Sequence, residues 1–168
     1  YSSVGSSKVR RISRNDGTPD TLFVYDEFGT TIAEGLDIDG NLQLDASGKD
    51  RIVLSDRRIG QSAGDWWLIT RRETYSQEGS ASKLLLGQTS VRLTGYSGNL
   101  RVEQQSLDVE GRTSFSLLST DRAARRRTVS QHSPGVGTAT SVFQDGLLVS
   151  QSTADGRTFT FGYDALNR

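Results

Sequence analysis

The chain has 168 residues, of which 33% are hydrophobic and 24% are charged, a composition typical of a globular protein with a core. Its 20 basic and 20 acidic residues give a formal net charge of zero, which argues against a nucleic-acid partner held by general electrostatic attraction. The absence of cysteine excludes disulfides, thiol nucleophiles and cysteine-based zinc sites. We find no apolar run long enough for a membrane span, and we expect no cofactor.

Short runs in which apolar and polar residues alternate follow one another along the chain. They are TLFVYD, NLQLD, DRIVLSD, SVRLTGY, NLRVEQ, RTSFSLL and RTFTFGYD. Alternation with a period of two indicates half-buried β-strands, and the Asp-Gly and Glu-Gly pairs between the runs are typical of hairpin turns. We therefore predict an all-β fold of antiparallel hairpins and meanders, forming one β-repeat module over residues 1–168 that is a fragment of a larger protein. Residues 1–20 precede the first run, and we expect them to be irregular.

The segment DIDGNLQLD carries four oxygen-bearing side chains at alternating positions, those of Asp37, Asp39, Asn41 and Asp45. Calcium prefers such hard oxygen ligands, so these four residues are candidate metal ligands. The glycine at position 40 is in the wrong place for an EF-hand loop. A hairpin turn at Asp39 and Gly40 explains the same residues without a metal, and both alternatives remain open at this point.

Two adjacent tryptophans, Trp66 and Trp67, occur in the segment DWWLI. Neighbouring residues of a strand point to opposite faces, so one indole is expected in the core and the other on the surface. The surface indole is a candidate contact for a sugar ring or a protein partner. The alternative is that both rings serve packing within and between repeats.

Catalytic and anion-binding residues are harder to identify. The sole histidine, His132, lies between serines in SQHSPGVG, and we interpret it as a polar residue at the start of a loop. No pair of acids stands out among the twenty, so we predict no catalytic residue. The arginine-rich segment at 121–127 is interpreted as a solvated turn beside a strand, with phosphate contact as the alternative.

The C-terminal part, residues 138–168, is predicted to form a three-stranded meander. Two-residue turns at 145–146 and 155–156 would determine its register. The pairs expected from these turns are Phe143 with Leu148, Val142 with Val149, Ser152 with Phe159, Ser150 with Phe161, and Leu148 with Tyr163.

The end of this meander, DGRTFTFGYDALNR, resembles the YD repeat of the RHS family. The residues that carry the resemblance are Asp155, Gly156, Tyr163, Asp164, Asn167 and Arg168, with Asn167 where the family most often has glycine. A second, weaker copy in FVYDEFGTTI has Tyr25, Asp26 and Gly29 in place, but threonine where arginine is expected. Between the copies, at about 55–135, the chain holds either diverged repeats or an insertion.

The resemblance implies a role in architecture. Proteins of this family resemble ribbons of β-hairpins that form a hollow shell; bacterial members enclose a toxic polypeptide, and teneurin-like members act in adhesion at animal cell surfaces. We therefore expect a non-enzymatic wall module of a secreted or cell-surface bacterial protein, with neighbouring repeats and an enclosed passenger as partners. The alternative is an extracellular module that binds a glycan or a cell-surface protein.

Overall fold

The computed structural model describes residues 2–4, 7–95, 98–164 and 166. Within these ranges the chain forms thirteen β-strands and no helix, which confirms the predicted all-β fold. The strands are antiparallel and are hydrogen-bonded in the order in which they occur in the sequence. No helix in the described part of the chain is long and apolar enough to cross a membrane.

The strands have the following bounds. They are β1 (Ser2–Val4), β2 (Ser7–Ile12), β3 (Asp20–Tyr25), β4 (Thr31–Asp37), β5 (Arg51–Ser62), β6 (Asp65–Tyr75), β7 (Lys83–Thr94), β8 (Arg101–Asp108), β9 (Thr113–Asp121), β10 (Arg126–Ser133), β11 (Gly137–Gln144), β12 (Leu147–Ser152) and β13 (Thr158–Thr160).

The chain divides into two compact units. The first consists of Tyr1–Arg58 and Thr70–Gln88, and the second of Ile59–Ile69 and Thr89–Arg168. Strands β5, β6 and β7 therefore contribute residues to both units. The borders of the single module expected from the sequence stay a prediction.

The leading segment contains strands β1 and β2, so the expectation that residues 1–20 are irregular is wrong at 2–4 and 7–12, whereas residues 13–19 are irregular as expected. Strand β2 pairs with β3 from Lys8 opposite Tyr25 to Ile12 opposite Thr21. Its sequence, SKVRRI, alternates only weakly, and sequence pattern alone does not identify it. The pairing with the strongly alternating β3 supplies the cross-strand contacts that its own pattern does not indicate.

Residues 38–50 form an irregular loop, although a strand over NLQLD and a hairpin turn at 39–40 were predicted. The loop lies over one face of the first unit, where its Leu42 and Leu44 line a cavity of about 280 Å³ together with the core residues Leu22 and Ile52.

A Cβ at Gly35 would lie 2.4 Å from the carbonyl oxygen of Arg51, so a larger residue there would force the backbone apart.

The C-terminal meander is present as β11, β12 and β13, and part of its predicted register is correct. Phe143 lies opposite Leu148, as expected from a two-residue turn at 145–146. A bulge then places Val142 opposite Ser150 instead of Val149. Strand β13 is shifted by one residue from the prediction: Ser152 faces Thr158 rather than Phe159, because the loop contains three residues and not two. Ser150 consequently faces Thr160.

Candidate functional site

Three hairpins in the described ranges close with the same five-residue loop, at 26–30, 108–112 and 153–157. In each, the N–H of the first residue donates to the carbonyl of the fifth, at 2.9, 3.1 and 2.8 Å respectively. The N–H of the fourth residue donates back to the carbonyl of the first, at 3.1, 3.1 and 3.0 Å. This is the geometry of a three-residue hairpin loop that ends on a left-handed residue. We call these three segments the repeat loops.

Glycine occupies the fourth position of every repeat loop. Gly29, Gly111 and Gly156 have φ angles of 82°, 76° and 87°. A residue with a Cβ is strained in this left-handed region, so the loop geometry itself selects glycine. Asn167, which the sequence places at the equivalent position of a fourth copy, lies outside the described residues, as does Arg168.

The first position is an aspartate in two of the repeat loops, and its carboxylate holds the loop backbone. Asp26 accepts the N–H groups of Phe28 and Thr30 at 3.0 and 2.8 Å. Asp108 accepts the equivalent two N–H groups, both at 2.9 Å. Asp164, which begins the fourth copy, accepts the N–H of Leu166 at 2.9 Å. This bond corresponds to the one from Phe28 to Asp26. The aspartate at the first position therefore satisfies backbone donors that the hairpin leaves open.

Asp108 was missed by the sequence analysis because no tyrosine precedes it. The signal present in the sequence was the spacing of aspartate, glycine and arginine in DVEGR, which matches the repeat-loop geometry. This loop lies inside the segment 55–135, and its geometry favours diverged repeats over an insertion for that part of the chain. Its last residue, Arg112, pairs with Asp108 at 2.7 Å and with Glu110 at 2.7 Å.

Threonine replaces the first aspartate in the third repeat loop. The Thr153 hydroxyl donates to Asp155 and approaches the carbonyl oxygen of Arg157 at 3.2 Å. Asp155 also pairs with the Arg157 guanidinium, whose Nε lies 2.7 Å away. The Thr153 hydrogen bond, followed by that of Arg157, holds the pKa of Asp155 below its ordinary value. In the second repeat loop the hydrogen bond from Arg112 lowers the pKa of Asp108 in the same way.

One motif tyrosine lies at a strand end, and the other lies in the segment after β13. Tyr25 is the last residue of β3, half-buried, and faces Thr31 across a bulge. The Tyr163 hydroxyl donates to the carbonyl of Leu148 at 2.7 Å, so the ring reaches back over β12. Its hydroxyl thus ties the segment after β13 to the sheet, with Phe161 donating its N–H to Val149 at 3.0 Å.

The acidic loop at 37–50 was the candidate metal site. Asp37 is 2% exposed, and its carboxylate accepts the N–H groups of Gly40, Asn41 and Leu42 at 2.8, 3.2 and 2.8 Å. Asp50 accepts two further backbone N–H groups, from Ile38 at 2.8 Å and Asp45 at 2.9 Å. These two carboxylates therefore accept backbone N–H groups of the loop, as the carbonyl groups of a neighbouring strand do in a sheet.

The predicted metal ligands are only partly brought together. Oxygens of Asp37, Asp39 and Asp50 lie within 4.8 Å of one another, so the group includes Asp50, which was not predicted. The Asn41 amide donates to Asp45 at 2.7 Å and to Asp39 at 3.2 Å. The side-chain oxygen of Asn41 in turn accepts the N–H of Gln43 at 2.7 Å, so this amide is engaged within the loop. A metal at this set remains the alternative to a purely structural role of its carboxylates.

The two tryptophans point to opposite sides, as predicted. Trp67 is 7% exposed and Trp66 is 65% exposed. The guanidinium of Arg92 lies over the Trp67 ring and also binds Asp65 and Glu103.

Glu103 is a buried carboxylate between two arginines. It is 4% exposed, and its two oxygens lie 2.6 Å from nitrogens of Arg92 and Arg101. The hydrogen bond from Arg92 is the main cause that holds the pKa of Glu103 below its ordinary value. The same bond raises the pKa of Arg92. Neither Glu103 nor Arg92 is identifiable from the sequence, because a charged residue at an inward position of a strand looks in the sequence like any other charged residue.

His132 and its neighbouring serines do not form a catalytic arrangement in the described residues. The Nδ1 atom of His132 lies 3.1 Å from the hydroxyl of Thr138. The hydroxyl of Ser130 lies 3.0 Å from that of Thr140. Both are cross-strand pairs between β10 and β11, which stabilise the sheet.

Comparison with known proteins connects the C-terminal repeat loop to a family. Residues 144–168 match the family model described as RHS Repeat. The match contains β12, the repeat loop at 153–157, β13 and the segment around Tyr163, and it confirms the resemblance inferred from the sequence. Comparisons with curated proteins and with solved structures gave no significant match.

Proposed function

We propose that this chain is a non-enzymatic wall module of a large exported bacterial protein, in which RHS-type repeats form a β-sheet shell around a toxin or another passenger segment. The observation that carries the proposal is the recurrence of one loop geometry at 26–30, 108–112 and 153–157, the last within the RHS Repeat match. Repetition of one supersecondary unit is the signature of a quasi-linear repeat architecture.

The mechanism in this proposal is steric. Strands that pair in sequence order let a sheet grow by one hairpin at a time, and each repeat loop holds its hairpin in one geometry through backbone hydrogen bonds. A continuous sheet has no gap through which a protease could reach an enclosed segment. RHS repeat proteins are generally extracellular or at the cell surface, which supports a secreted or surface location.

The partners in this proposal are neighbouring repeats and the enclosed passenger. Strand β13 stands at one end of the strand order, with β12 as its described neighbour. The aromatic side chains around it, Phe159, Phe161 and Tyr163, are 47%, 40% and 39% exposed. Exposed apolar side chains beside a strand at the end of the described strand order favour contact with a neighbouring repeat, because an open apolar edge promotes aggregation.

The intact mass of the polypeptide in the producing organism tests the proposal. An antibody raised against this chain captures the native species, and mass spectrometry gives its mass and sequence. We expect a protein many times larger than 18.3 kDa, with further Tyr-Asp repeats. A mature species near 18.3 kDa would overturn the shell, because so short a sheet cannot enclose a passenger.

A second candidate function rests on the exposed indole of Trp66. It follows the two-residue turn at 63–64, where Ala63 and Gly64 have φ angles of 51° and 85°. An exposed tryptophan beside a hairpin tip suits stacking on a sugar ring or contact with a surface protein. A glycan array with the wild-type chain and the Trp66→Ala variant tests this function. Signals lost in the variant would support it, and the absence of signals across several glycan classes would reject the carbohydrate form.

A further inference from the structure

Four arginines surround an open pocket in the second unit. Arg122, Arg125, Arg126 and Arg127 come from the hairpin between β9 and β10, and the pocket they line has a volume of about 430 Å³. The remaining lining residues are Gly95, Gly98, Leu100, Thr120 and Asp121. We call this site the arginine pocket.

The backbone around the arginine pocket is held by hydrogen bonds from three directions. Within the hairpin, Arg125 donates its N–H to the carbonyl of Arg122 at 3.2 Å. From β11, the Gln144 side chain donates to the carbonyl of Ala124 at 2.7 Å. On the other side, Arg122 donates its N–H to Gly98 at 3.3 Å. The arginines therefore project from a backbone that is already ordered, which lowers the entropy cost of binding.

Two of the four guanidinium groups are already engaged, and two are not. Arg125 pairs with Asp145 at 2.6 Å, and Arg127 lies over the ring of Phe143 at 4.2 Å. Arg122 and Arg126 have no carboxylate partner among the described residues. The one acid in the lining, Asp121, directs its Oδ1 to the N–H of Ala124 at 2.9 Å.

This local excess of positive charge stands out in a chain whose formal net charge is zero. Eight other arginines of the described chain and Arg125 itself are paired with carboxylates. The planar guanidinium fork matches the oxygens of phosphate and sulfate, and several arginines that converge on a pocket are typical of sites that bind such groups.

We propose that the arginine pocket binds one compact oxyanion group, a phosphate or a sulfate, held by Arg122 and Arg126. The four arginines that line the pocket lie within residues 122–127, and such a compact cluster favours a single charged group over the backbone of a nucleic acid. The pocket has room for the group and a small attached unit such as a sugar ring. This site is independent of the wall function proposed above.

Calorimetric titration of the whole chain tests the site. The probes are inorganic phosphate, inorganic sulfate, glucose 6-phosphate and glucose 6-sulfate, each against chloride at equal ionic strength. We expect saturable binding that weakens about tenfold or more in an Arg122→Gln/Arg126→Gln double variant, because each guanidinium makes a charge-assisted contact. Equal affinity for the ions and the sugar esters would identify a free anion as the ligand. Tighter binding of the esters would identify a charged sugar.

An Arg14→Gln/Arg57→Gln double variant is the matched control. Both arginines are exposed, have no described ion pair and lie in the first unit, so this variant removes the same charge far from the pocket in sequence. This control variant is expected to bind the probes with the affinity of the wild type. Thermal unfolding checks that both double variants are folded. Absence of saturable binding to all four probes, or an equal loss in both double variants, would overturn the proposal. The proposal would also be overturned by a short single-stranded DNA that binds more tightly than every probe and whose affinity falls equally in both double variants.

Discussion

The guanidinium of Arg92 lies over the buried indole of Trp67, with its central carbon 4.8 Å from the ring centroid. The same guanidinium binds the buried carboxylate of Glu103. A cation between a ring face and a carboxylate is held by both, and each contact restricts the orientation in which the other forms. This arrangement orders the core of the second unit around one tryptophan.

Truncation of the two tryptophans is expected to have unequal effects on stability. Trp67→Ala should lower the free energy of unfolding by about 3–5 kcal/mol, because it removes a buried aromatic side chain and leaves a cavity. Trp66→Ala should change it by less than about 0.5 kcal/mol, since its indole is 65% exposed. Chemical denaturation of the three proteins measures both values. Two large losses would place Trp66 in a packed interface and contradict its surface assignment.

Replacement of Glu103 is expected to make stability depend less on pH. The pKa of Glu103 is held below its ordinary value of 4.5, so the folded state gains stability from the carboxylate above that pH. This gain is lost as the pH falls through the lowered pKa. Glu103→Gln should therefore cost about 1–3 kcal/mol near neutral pH and progressively less below pH 4.5.

Thermal unfolding of the wild type and of Glu103→Gln from pH 7 to pH 3 measures this difference. Other carboxylates with lowered pKa values, such as Asp108 and Asp155, are present in both proteins and so cancel in the comparison. A difference in melting temperature that stays constant over the whole range would show that the charge of Glu103 contributes nothing.

Glycine replacement tests the geometry of the repeat loops. Gly29→Ala is expected to destabilise the chain by about 1–2 kcal/mol, because the φ angle of 82° forces the new Cβ against its own backbone. Gly162→Ala is the control: that glycine has ordinary backbone geometry, and its added Cβ would meet no atom within 4 Å. Its effect should stay below about 0.5 kcal/mol. Equal effects in the two variants would remove the left-handed conformation as the reason for glycine.

The buried carboxylate of Asp37 is expected to be the main anchor of the loop at 38–50. Asp37→Ala leaves the N–H groups of Gly40 and Leu42 without their acceptor, whereas the N–H of Asn41 keeps Asp39 at 3.1 Å, and the change should cost about 3 kcal/mol. Asp39→Ala, at an exposed position two residues away, should cost less than about 1 kcal/mol. Hydrogen exchange of the Gly40 and Leu42 amides should accelerate in the first variant only. Unchanged exchange rates in Asp37→Ala would show that another group orders the loop.

Calcium is expected to leave the melting temperature unchanged. The oxygens of Asp37 and Asp50 already accept backbone N–H groups, and a cation would compete with those donors for the same oxygens. The measurement compares the melting temperature in millimolar calcium with the melting temperatures in millimolar magnesium and in a chelator. A rise with calcium that disappears in Asp50→Asn would instead establish the acidic loop as a metal site.

Sequence pattern was sufficient for the features that depend on neighbouring residues. Alternation predicted β3, β5, β7, β8, β9 and β13, adjacent positions in one strand predicted the opposite orientations of Trp66 and Trp67, and the Tyr-Asp motif predicted the repeat at the C-terminus. Each of these follows from local backbone geometry, which the residues themselves determine.

Only the tertiary structure decided which of several possible hydrogen bonds form. A three-residue loop instead of a two-residue turn shifted β13 by one position, and the side chains of Asp37 and Asp50 made a loop of a segment whose alternation resembles a strand. The sequence shows which groups can accept a backbone N–H. Which ones do so depends on the three-dimensional arrangement of the strands, and the same arrangement groups Trp67, Arg92 and Glu103 from three separate strands.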